Sequence, residues 1–317
     1  MKERTVTTQT AGPPKAVTRP GDKIFAGFSV GSGWTILLIL AGVAIFLLWQ
    51  ALPAITADPS DVRGGQGLAH YIGPLLFGTV ISSIIAIVIA TPLAIGISLF
   101  ISHYAPRRLA VSLGYVVDLL AAIPSLVFGL WGLAVLAPAT VPVGNFLNEY
   151  FGWLPFFSGQ ASVTGRTMFT VGIVLAVMIL PIMTATIREI FLQTPRLHEE
   201  AALALGATRW EMIKMAVLPF GRSGIVSGSM LGLGRALGET MAVAIILSPT
   251  ARYTWEVVTS SNPGTIAADI ALNFPESSGL DVNSLVASGL VLFALTLAVN
   301  MLARYIVSRR AEFSGAN

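Results

Sequence analysis

Residues 194–241 read TPRLHEEAALALGATRWEMIKMAVLPFGRSGIVSGSMLGLGRALGETM, and this stretch decides the fold. It joins a short charged segment to a long apolar segment that carries Arg235 and Glu239 at its middle. The charged segment contains the start and stop signals of two short helices, and the apolar segment is long enough to cross a membrane. We interpret the rest of the chain as scaffold around this stretch.

The charged segment begins with a predicted helix over residues 195–205. The Thr194 hydroxyl is expected to cap free N–H groups, and Pro195 suits the first helical position. The helix should end at Gly206, because glycine adopts a left-handed C-terminal conformation without a Cβ clash. Thr208 and Glu211 have the spacing of a capping box, which predicts a second helix directly afterwards.

This helix–turn–helix is closed by Leu218-Pro219 and has two interpretations, a docking surface or an ordinary polar connector. A connector needs neither the small side chains of Ala201 and Ala202 nor two rigidly capped helices. The pattern therefore favours a docking surface.

The apolar segment, residues 221–247, is expected to form one continuous helix across a bilayer core of roughly 30 Å. Projected at about 100° per residue, its small and charged residues share one face: Gly224, Gly228, Gly232, Arg235 and Glu239. Bulkier side chains lie opposite: Val226, Met230, Leu233 and Leu237. Small residues at every fourth position allow close backbone approach, so the glycine face should pack against a partner subunit or a neighbouring span.

Arg235 and Glu239 are charged residues at the predicted middle of this span. A buried arginine costs about 2.5–3.5 kcal/mol on insertion scales, so it should face a partner helix or water rather than lipid. Intramembrane charges often mark a substrate pathway. The alternative is a structural pair at i, i+4 that only locks helices together.

Composition places the chain among polytopic membrane proteins, and we expect an all-α fold with about six transmembrane helices. Hydrophobic residues make up 54% of the 317 residues and charged residues 11%, with a mean hydropathy of +0.77. The absence of cysteine excludes a disulfide framework and a cysteine metal site, and the three histidines have no ligand spacing. The net charge of +3 is explained by membrane topology, so we expect no nucleic-acid partner.

Hydropathy divides the chain into a polar tail at 1–24, a first helix and external loop at 25–70, a core at 71–310 and a second tail at 311–317. Within the core, spans are expected at about 75–101, 109–137, 168–190, 221–247 and 285–306, with a long loop at 138–167. Asp118 lies in the third of these six predicted spans, counting the first near 34–54. It either bonds a neighbouring helix end or contributes to a substrate pathway.

The distribution of basic residues predicts the orientation of the chain. When successive loops are assigned to alternate sides, 15 of the 19 Lys and Arg residues fall on the side of both termini and of the 188–222 loop. Arg63, Arg166 and Arg252 lie on the other side, and Arg235 lies within the membrane. Because basic loops stay inside, both termini and the docking surface at residues 194–219, called the docking loop below, should be cytoplasmic.

Absent motifs narrow the function further. The sequence contains no G-x-x-x-x-G-K-[ST] phosphate-binding loop, so this chain is not itself a P-loop ATPase. It also lacks a G-x-S-x-G elbow and an H-E-x-x-H pair. We therefore expect a protein that is not an enzyme and has no cofactor or metal of its own. If it takes part in energy-coupled transport, another chain should supply the energy.

Glu200-Ala201-Ala202, Gly206 and Leu218-Pro219 together resemble the E-A-A-x-x-x-G-x9-I-x-L-P loop of ABC importer permeases. This resemblance implies the type I importer permease fold, with a cytoplasmic coupling-helix loop at 194–219 that docks into the ATPase subunit through those six residues. Ala216 departs from the pattern, since the family usually has isoleucine there, and the substitution reduces the hydrophobic contact.

Two further segments are similar to the phosphate-specific, PstC-type permeases of this family: GRALGETMAV at 234–243 and AIPSLVFG at 122–129. The resemblance covers about residues 70–310. It implies a heterodimer with a PstA-type permease in the cell membrane, a PstB-type ATPase dimer that binds ATP and Mg, and a PstS-type phosphate-binding protein. Arg235, Glu239 and Asp118 are then candidates for the phosphate pathway.

Two other classes of function remain open at this point. An ion-coupled secondary transporter would use Arg235, Glu239 and Asp118 as a relay, but it would usually show an internal repeat, which we do not find. A membrane scaffold without transport activity would keep the glycine packing but would have no use for a capped coupling helix. An ABC permease for a different oxyanion is a third alternative.

Overall fold

The computed structural model of this protein describes residues 20–311, and in this part nearly all regular structure is helical. The predicted tails at 1–24 and 311–317 therefore lie outside the described residues, except for residues 20–24 and 311. The first half of the chain contains α1 (Pro20–Thr56), α2 (Leu68–Leu99), α3 (Arg107–Ala121), α4 (Ser125–Trp131) and α5 (Ala137–Phe151). A π-helical turn, Phe100–Tyr104, extends α2, and another, Gly132–Leu136, joins α4 to α5.

The second half contains the docking loop and the remaining helices. These are α6 (Met168–Leu192), α7 (Arg196–Ala204), α8 (Arg209–Met212), α9 (Leu218–Phe220), α10 (Arg222–Leu237), α11 (Met241–Ile246), α12 (Ile266–Asn273) and α13 (Leu280–Ala311). A third π-helical turn, Ile213–Val217, joins α8 to α9. Two short strands, β1 (Pro249–Thr250) and β2 (Asn262–Pro263), pair in parallel between α11 and α12.

The chain forms two units, one ending at Trp49 and the other beginning at Gln50. The described part of the first unit is the N-terminal portion of α1, which is apolar and exposed. Five helical segments of the described chain are long and apolar enough to cross a membrane: Pro20–Thr56, Leu68–Tyr104, Ser125–Phe151, Met168–Leu192 and Leu280–Tyr305. The expected all-α membrane fold is confirmed.

The third predicted span, 109–137, and the loop predicted at 138–167 are wrong in their boundaries. The chain breaks between α3 and α4 at Pro124, and the apolar helix then continues to Phe151. Proline lacks an N–H donor and disfavours the helical conformation of the residue before it, which explains the break. Pro138 and Pro142 lie inside the later helix, and the π-helical turn before α5 adjusts the hydrogen bonding just ahead of them.

The core of the second unit is built around α6, which packs against α2, α3 and α10. Two thirds of its most apolar window is buried, against one third or less in the other four candidate spans. One row of its fully buried side chains recurs every four residues, at Ile179, Met183, Ile187 and Phe191. This spacing forms one continuous face, as expected for a helix packed along its length.

The glycine face of α10 packs against this face of α6, a neighbouring span and one of the two partners that the sequence left open. A Cβ added at Gly224 would lie 2.5 Å from Ile190 Cβ, and one added at Gly228 would lie 2.9 Å from Ile187 Cγ1. A Cβ at Gly232 would lie 2.7 Å from Met183 Sδ. Because the partners run backwards along α6, the two helices are antiparallel, and the docking loop connects them as the turn of a hairpin.

Gly224→Ala should destabilise the protein, because Ile190 is β-branched and its Cβ cannot move without its backbone. Overpacking of this kind costs about 1–3 kcal/mol. Gly234→Ala is the matched control on the same helix, since nothing lies within 4 Å of a Cβ at that position. The control should be neutral or stabilising, because alanine favours a helix more than glycine does. Thermal unfolding of the purified variants measures both, and equal shifts in Tm would contradict this packing.

Candidate functional site

The first helix of the docking loop is α7. As expected, Gly206 terminates it in the left-handed conformation, with a φ of +85°. The Gly206 N–H donates to Leu203 O at 2.9 Å, and the Ala207 N–H donates to Ala202 O at 3.2 Å. These are the two hydrogen bonds of a Schellman motif, which satisfy the last carbonyl groups of the helix. The turn between the two short helices is therefore fixed by the backbone.

The second helix starts with the predicted capping box. The Thr208 hydroxyl accepts from the Glu211 N–H at 3.3 Å, and Glu211 Oε2 accepts from the Thr208 N–H at 2.7 Å. The Thr208 backbone N–H, together with the Thr208 hydroxyl, lowers the pKa of Glu211. The carboxylate therefore remains charged at neutral pH, and the cap is complete under physiological conditions.

The predicted cap at the start of α7 is wrong. Pro195 takes the N-cap position, the helix begins at Arg196, and no side chain caps it. Thr194 instead belongs to the end of α6, because its N–H donates to Phe191 O at 3.2 Å. Its side chain is buried, and its hydroxyl has no hydrogen-bond partner there.

The six predicted docking residues divide into two groups. Ala202 is buried in the main core and Leu218 packs against it, so these two hold the loop on the bundle. Glu200, Ala201, Gly206 and Pro219 are exposed. A groove of about 690 Å³ runs between the loop and the ends of α6 and α10, and it is lined in part by Ala201, Pro219 and Ala216, the position usually occupied by isoleucine in the family.

The outer surface of the loop is unusually apolar for a polar connector. Leu205, at the Schellman turn, is 89% exposed, and Leu197, Leu203 and Trp210 are also exposed. Several large exposed apolar side chains on one short loop with a fixed backbone favour an interaction surface. Sequence reasoning identified the small residues here but missed these large ones, although they are visible in the sequence between the two caps.

The membrane part of the site differs from the predicted continuous helix, because α10 ends at Leu237 and α11 begins only at Met241. The interruption contains Gly238, a residue with low helix propensity. Glu239 lies in the break and is 7% exposed. Its Oε1 accepts from the Ala242 N–H at 3.1 Å, so its carboxylate caps the start of α11.

The predicted face of small and charged residues therefore ends before Glu239, and Arg235 and Glu239 do not form the alternative structural pair. Arg235 and Glu239 do not form an ion pair with each other within 4.0 Å. Arg235 is half-buried and makes no hydrogen bond or ion pair with another described residue. A guanidinium without a partner in the protein is available to an anion.

Arg235 lines an open cleft of about 690 Å³ between α10 and α13, with Ile182 of α6 at its edge. The polar groups in this cleft come from Ser227, Asn300 and Arg304. Val226 and Met230, which the projection placed opposite Arg235, line the same cleft. The long arginine side chain explains this difference, because its charged end can lie well away from the direction of its Cβ.

The two segments that carry the phosphate-permease resemblance meet in the structure. A Cβ added at Gly129 of α4 would lie 2.8 Å from Ala242 Cα, so the backbones of α4 and α11 are in close contact. Arg166 holds the other end of α11, since its Nε donates to Ile246 O at 2.9 Å. Sequence reasoning noted Arg166 only as a basic residue in an external loop, and its capping role depends on a contact 80 residues away.

Asp118 lies apart from Arg235 and Glu239. It is exposed on α3 and lines a separate cleft of about 340 Å³ with Arg107 and Arg188. Of the three predicted pathway residues, Arg235 alone lines this cleft, since Glu239 caps α11 and Asp118 lies in the separate cleft. Within residues 20–311, no group of three or more His, Asp or Glu residues is arranged to hold a metal ion.

Comparison with known proteins identifies close relatives over nearly the whole chain. The family described as "Binding-protein-dependent transport system inner membrane component" matches residues 94–312. The chain is 48% identical over 306 residues to "Phosphate transport system permease protein PstC 2" of Mycobacterium tuberculosis, covering 93% of this chain and 94% of that protein. It is 38% identical over 289 residues to PstC of Xylella fastidiosa (strain Temecula1), covering 88% of each.

Solved structures with the same fold are more distant in sequence. A bacterial alginate ABC transporter, solved with an alginate-bound periplasmic protein, gives a TM-score of 0.54 at 17% identity, covering 89% of this chain and 96% of that chain. The MetNI methionine ABC transporter in an inward-facing conformation gives 0.51 at 16% identity, covering 76% and 95%. At this level of identity the likeness concerns the fold alone.

Proposed function

The chain belongs to the family of binding-protein-dependent transport system inner membrane components, and we propose that it is the PstC-type permease subunit of an ATP-driven phosphate importer. The observation that carries the proposal is the 48% identity to PstC relatives over 93% of the chain. The GRALGETMAV segment at 234–243 lies within this match and contributes Arg235 to an open cleft. The chain is a multi-pass membrane protein and not itself an enzyme.

The docking loop is the proposed contact with the ATPase subunit. The Schellman motif and the capping box fix its backbone, and Leu205 and Trp210 are exposed on it. These features suit insertion into a groove of a PstB-type ATPase, which would bind ATP and Mg. Because the loop is the turn of the α6–α10 hairpin, a movement imposed on it reaches both helices directly. One of these helices, α10, carries Arg235, so ATPase closure acts on the cleft through a single helix.

Arg235 is proposed to contact phosphate in the translocation pathway. A guanidinium offers charge and paired N–H donors that match an oxyanion. Glu239 has a supporting role, since its carboxylate fixes the start of α11 next to the break. Asp118 is assigned here to the separate α3–α6 cleft rather than to phosphate binding.

A single permease half does not enclose a pathway, so we propose a heterodimer with a PstA-type subunit and delivery by a PstS-type phosphate-binding protein. The Arg235 cleft is open along α10 and α13, which is consistent with a second subunit closing it. By the distribution of basic residues, both termini and the docking loop lie in the cytoplasm.

Vesicles containing this chain and its partners should take up labelled phosphate only when ATP is present, and a permease preparation without the ATPase subunit should not. Excess unlabelled sulfate should not compete. Collapse of the proton and sodium gradients by ionophores should leave uptake unchanged, because ATP rather than an ion gradient drives it. Uptake that disappears with the gradients and persists without ATP would identify a secondary transporter instead.

A further inference from the structure

We infer that His103 is a positioning residue that ties the coupling helix α7 to the cytoplasmic end of α2, so that α2 moves together with the docking loop. The inference rests on the proposed function and adds a route of coupling to it. The loop is covalently joined only to α6 and α10. Movement of α2 with the loop therefore passes either through the packing of α2 on α6 and α10 or through a direct contact with α7.

The contact joins the His103 imidazole to the Glu199 carboxylate, with His103 Nε2 3.5 Å from Glu199 Oε1. The two side chains are 9% and 23% exposed, so the pair is largely shielded from water. Glu200 follows directly on α7 and is exposed. Since successive helical residues point about 100° apart, Glu199 faces the bundle while Glu200 is free to face a partner.

The hydrogen bonds of Ser102 define how the imidazole is held. Ser102 Oγ donates to Ser98 O at 2.7 Å and lies 2.6 Å from His103 Nδ1. The ring is therefore held from its Nδ1 side, which leaves Nε2 facing the Glu199 carboxylate.

The local backbone supports a specific role for this position. His103 lies in the π-helical turn that ends α2, closed by the hydrogen bond from Ala105 N–H to Phe100 O at 2.8 Å. Such turns are uncommon and occur frequently at functional sites. Here the turn carries both Ser102 and His103, so one local deformation supplies the ring and the group that orients it.

His103→Gln and Glu199→Gln each remove the imidazole–carboxylate contact and should uncouple the transporter. In vesicles with the full complex, we expect ATPase co-purification and ATP hydrolysis to persist. The phosphate transported per ATP should fall at least about fivefold, the lower end of typical coupling between sites. Glu189→Gln is the matched control, since Glu189 is an exposed glutamate near the same end of α6 without a partner among the described residues. It should leave the ratio unchanged.

A cross-link provides a test that does not depend on charge. The chain contains no cysteine, so His103→Cys with Glu199→Cys can be joined specifically by a short bismaleimide. If α7 and α2 move as one body, transport per ATP should be low before cross-linking and restored after it. A cross-linked complex that hydrolyses ATP without transporting would overturn the inference, because it would show that the pair has to separate during the cycle.

The outcomes separate this inference from the proposed function. An undiminished ratio of phosphate to ATP in both single variants would show that the pair does not couple, although the wild-type complex still transports phosphate. Absence of ATP-dependent phosphate uptake in the wild type would instead contradict the proposed function. If His103→Gln does not fold, Glu199→Gln tests the same contact from the more exposed side chain.

Discussion

Gly206→Val is expected to abolish ATP-driven phosphate uptake. The left-handed conformation at φ +85° costs an ordinary residue about 1–2 kcal/mol, and a β-branched side chain adopts it least readily. Relief of that strain rotates the turn and breaks the two hydrogen bonds that end α7. Leu205 and Trp210 then no longer present one surface to the ATPase. Co-purification of the ATPase and uptake of labelled phosphate measure the loss.

The control at the same position is Gly206→Asn, because asparagine tolerates the left-handed region far better than valine does. Nothing lies within 4 Å of a Cβ added at Gly206, so neither variant clashes with its surroundings. A difference between them therefore reports backbone conformation alone. If valine and asparagine retained the ATPase equally well, the turn geometry would not be what positions the docking surface.

Local chemistry predicted those parts of the docking loop that depend on neighbours within five residues. The turn at Gly206 and the capping box of Thr208 and Glu211 were predicted from spacing alone, and both are present. Thr194 has an equally good local signal but is buried at the end of α6 instead. Its position is decided by packing against the core, which a local pattern does not contain.

Hydropathy predicted the class of the fold but not the continuity of its helices. A window average counts apolar residues and is insensitive to an interruption of a few residues, such as Gly238–Thr240 or the break before Pro124. The predicted Arg235–Glu239 pair assumed that one helix joined the two residues. Once that helix is interrupted, the i, i+4 geometry is lost, and Glu239 caps α11 instead.

Contacts distant in sequence were the least predictable part of the candidate site. The contact between His103 and Glu199 and that between Arg166 and Ile246 O each join segments more than 70 residues apart. Each residue alone has an ordinary local setting. The glycine face of α10 is the exception, because its period restricted the possible partners to a helix packed closely along its length.

Arg235→Gln is expected to eliminate most phosphate transport while the complex still assembles. Arg235 makes no hydrogen bond or ion pair with another residue in the described part of the chain, so its neutralisation leaves no protein carboxylate unpaired. A hydrogen bond to a charged group contributes about 1.5–3 kcal/mol, so uptake should fall roughly 10- to 100-fold. Arg235→Lys keeps the charge but loses the paired donors, and should give an intermediate rate.

Arg222→Gln is the matched control, because Arg222 is exposed at the start of the same helix and outside the cleft. It should leave both assembly and uptake near the wild-type level. A loss equal to that of Arg235→Gln would show that uptake depends on the overall charge of α10 rather than on the cleft.

The double change Arg235→Gln with Glu239→Gln separates a phosphate-contacting arginine from a structural pair. If the two residues existed to neutralise each other, the double variant would recover both assembly and uptake. The structure favours the opposite result, because Glu239 Oε1 accepts from the Ala242 N–H and a glutamine oxygen can accept the same bond. The double variant should therefore co-purify with its partners and transport no more phosphate than Arg235→Gln alone. Uptake near the wild-type level would remove Arg235 from the phosphate pathway.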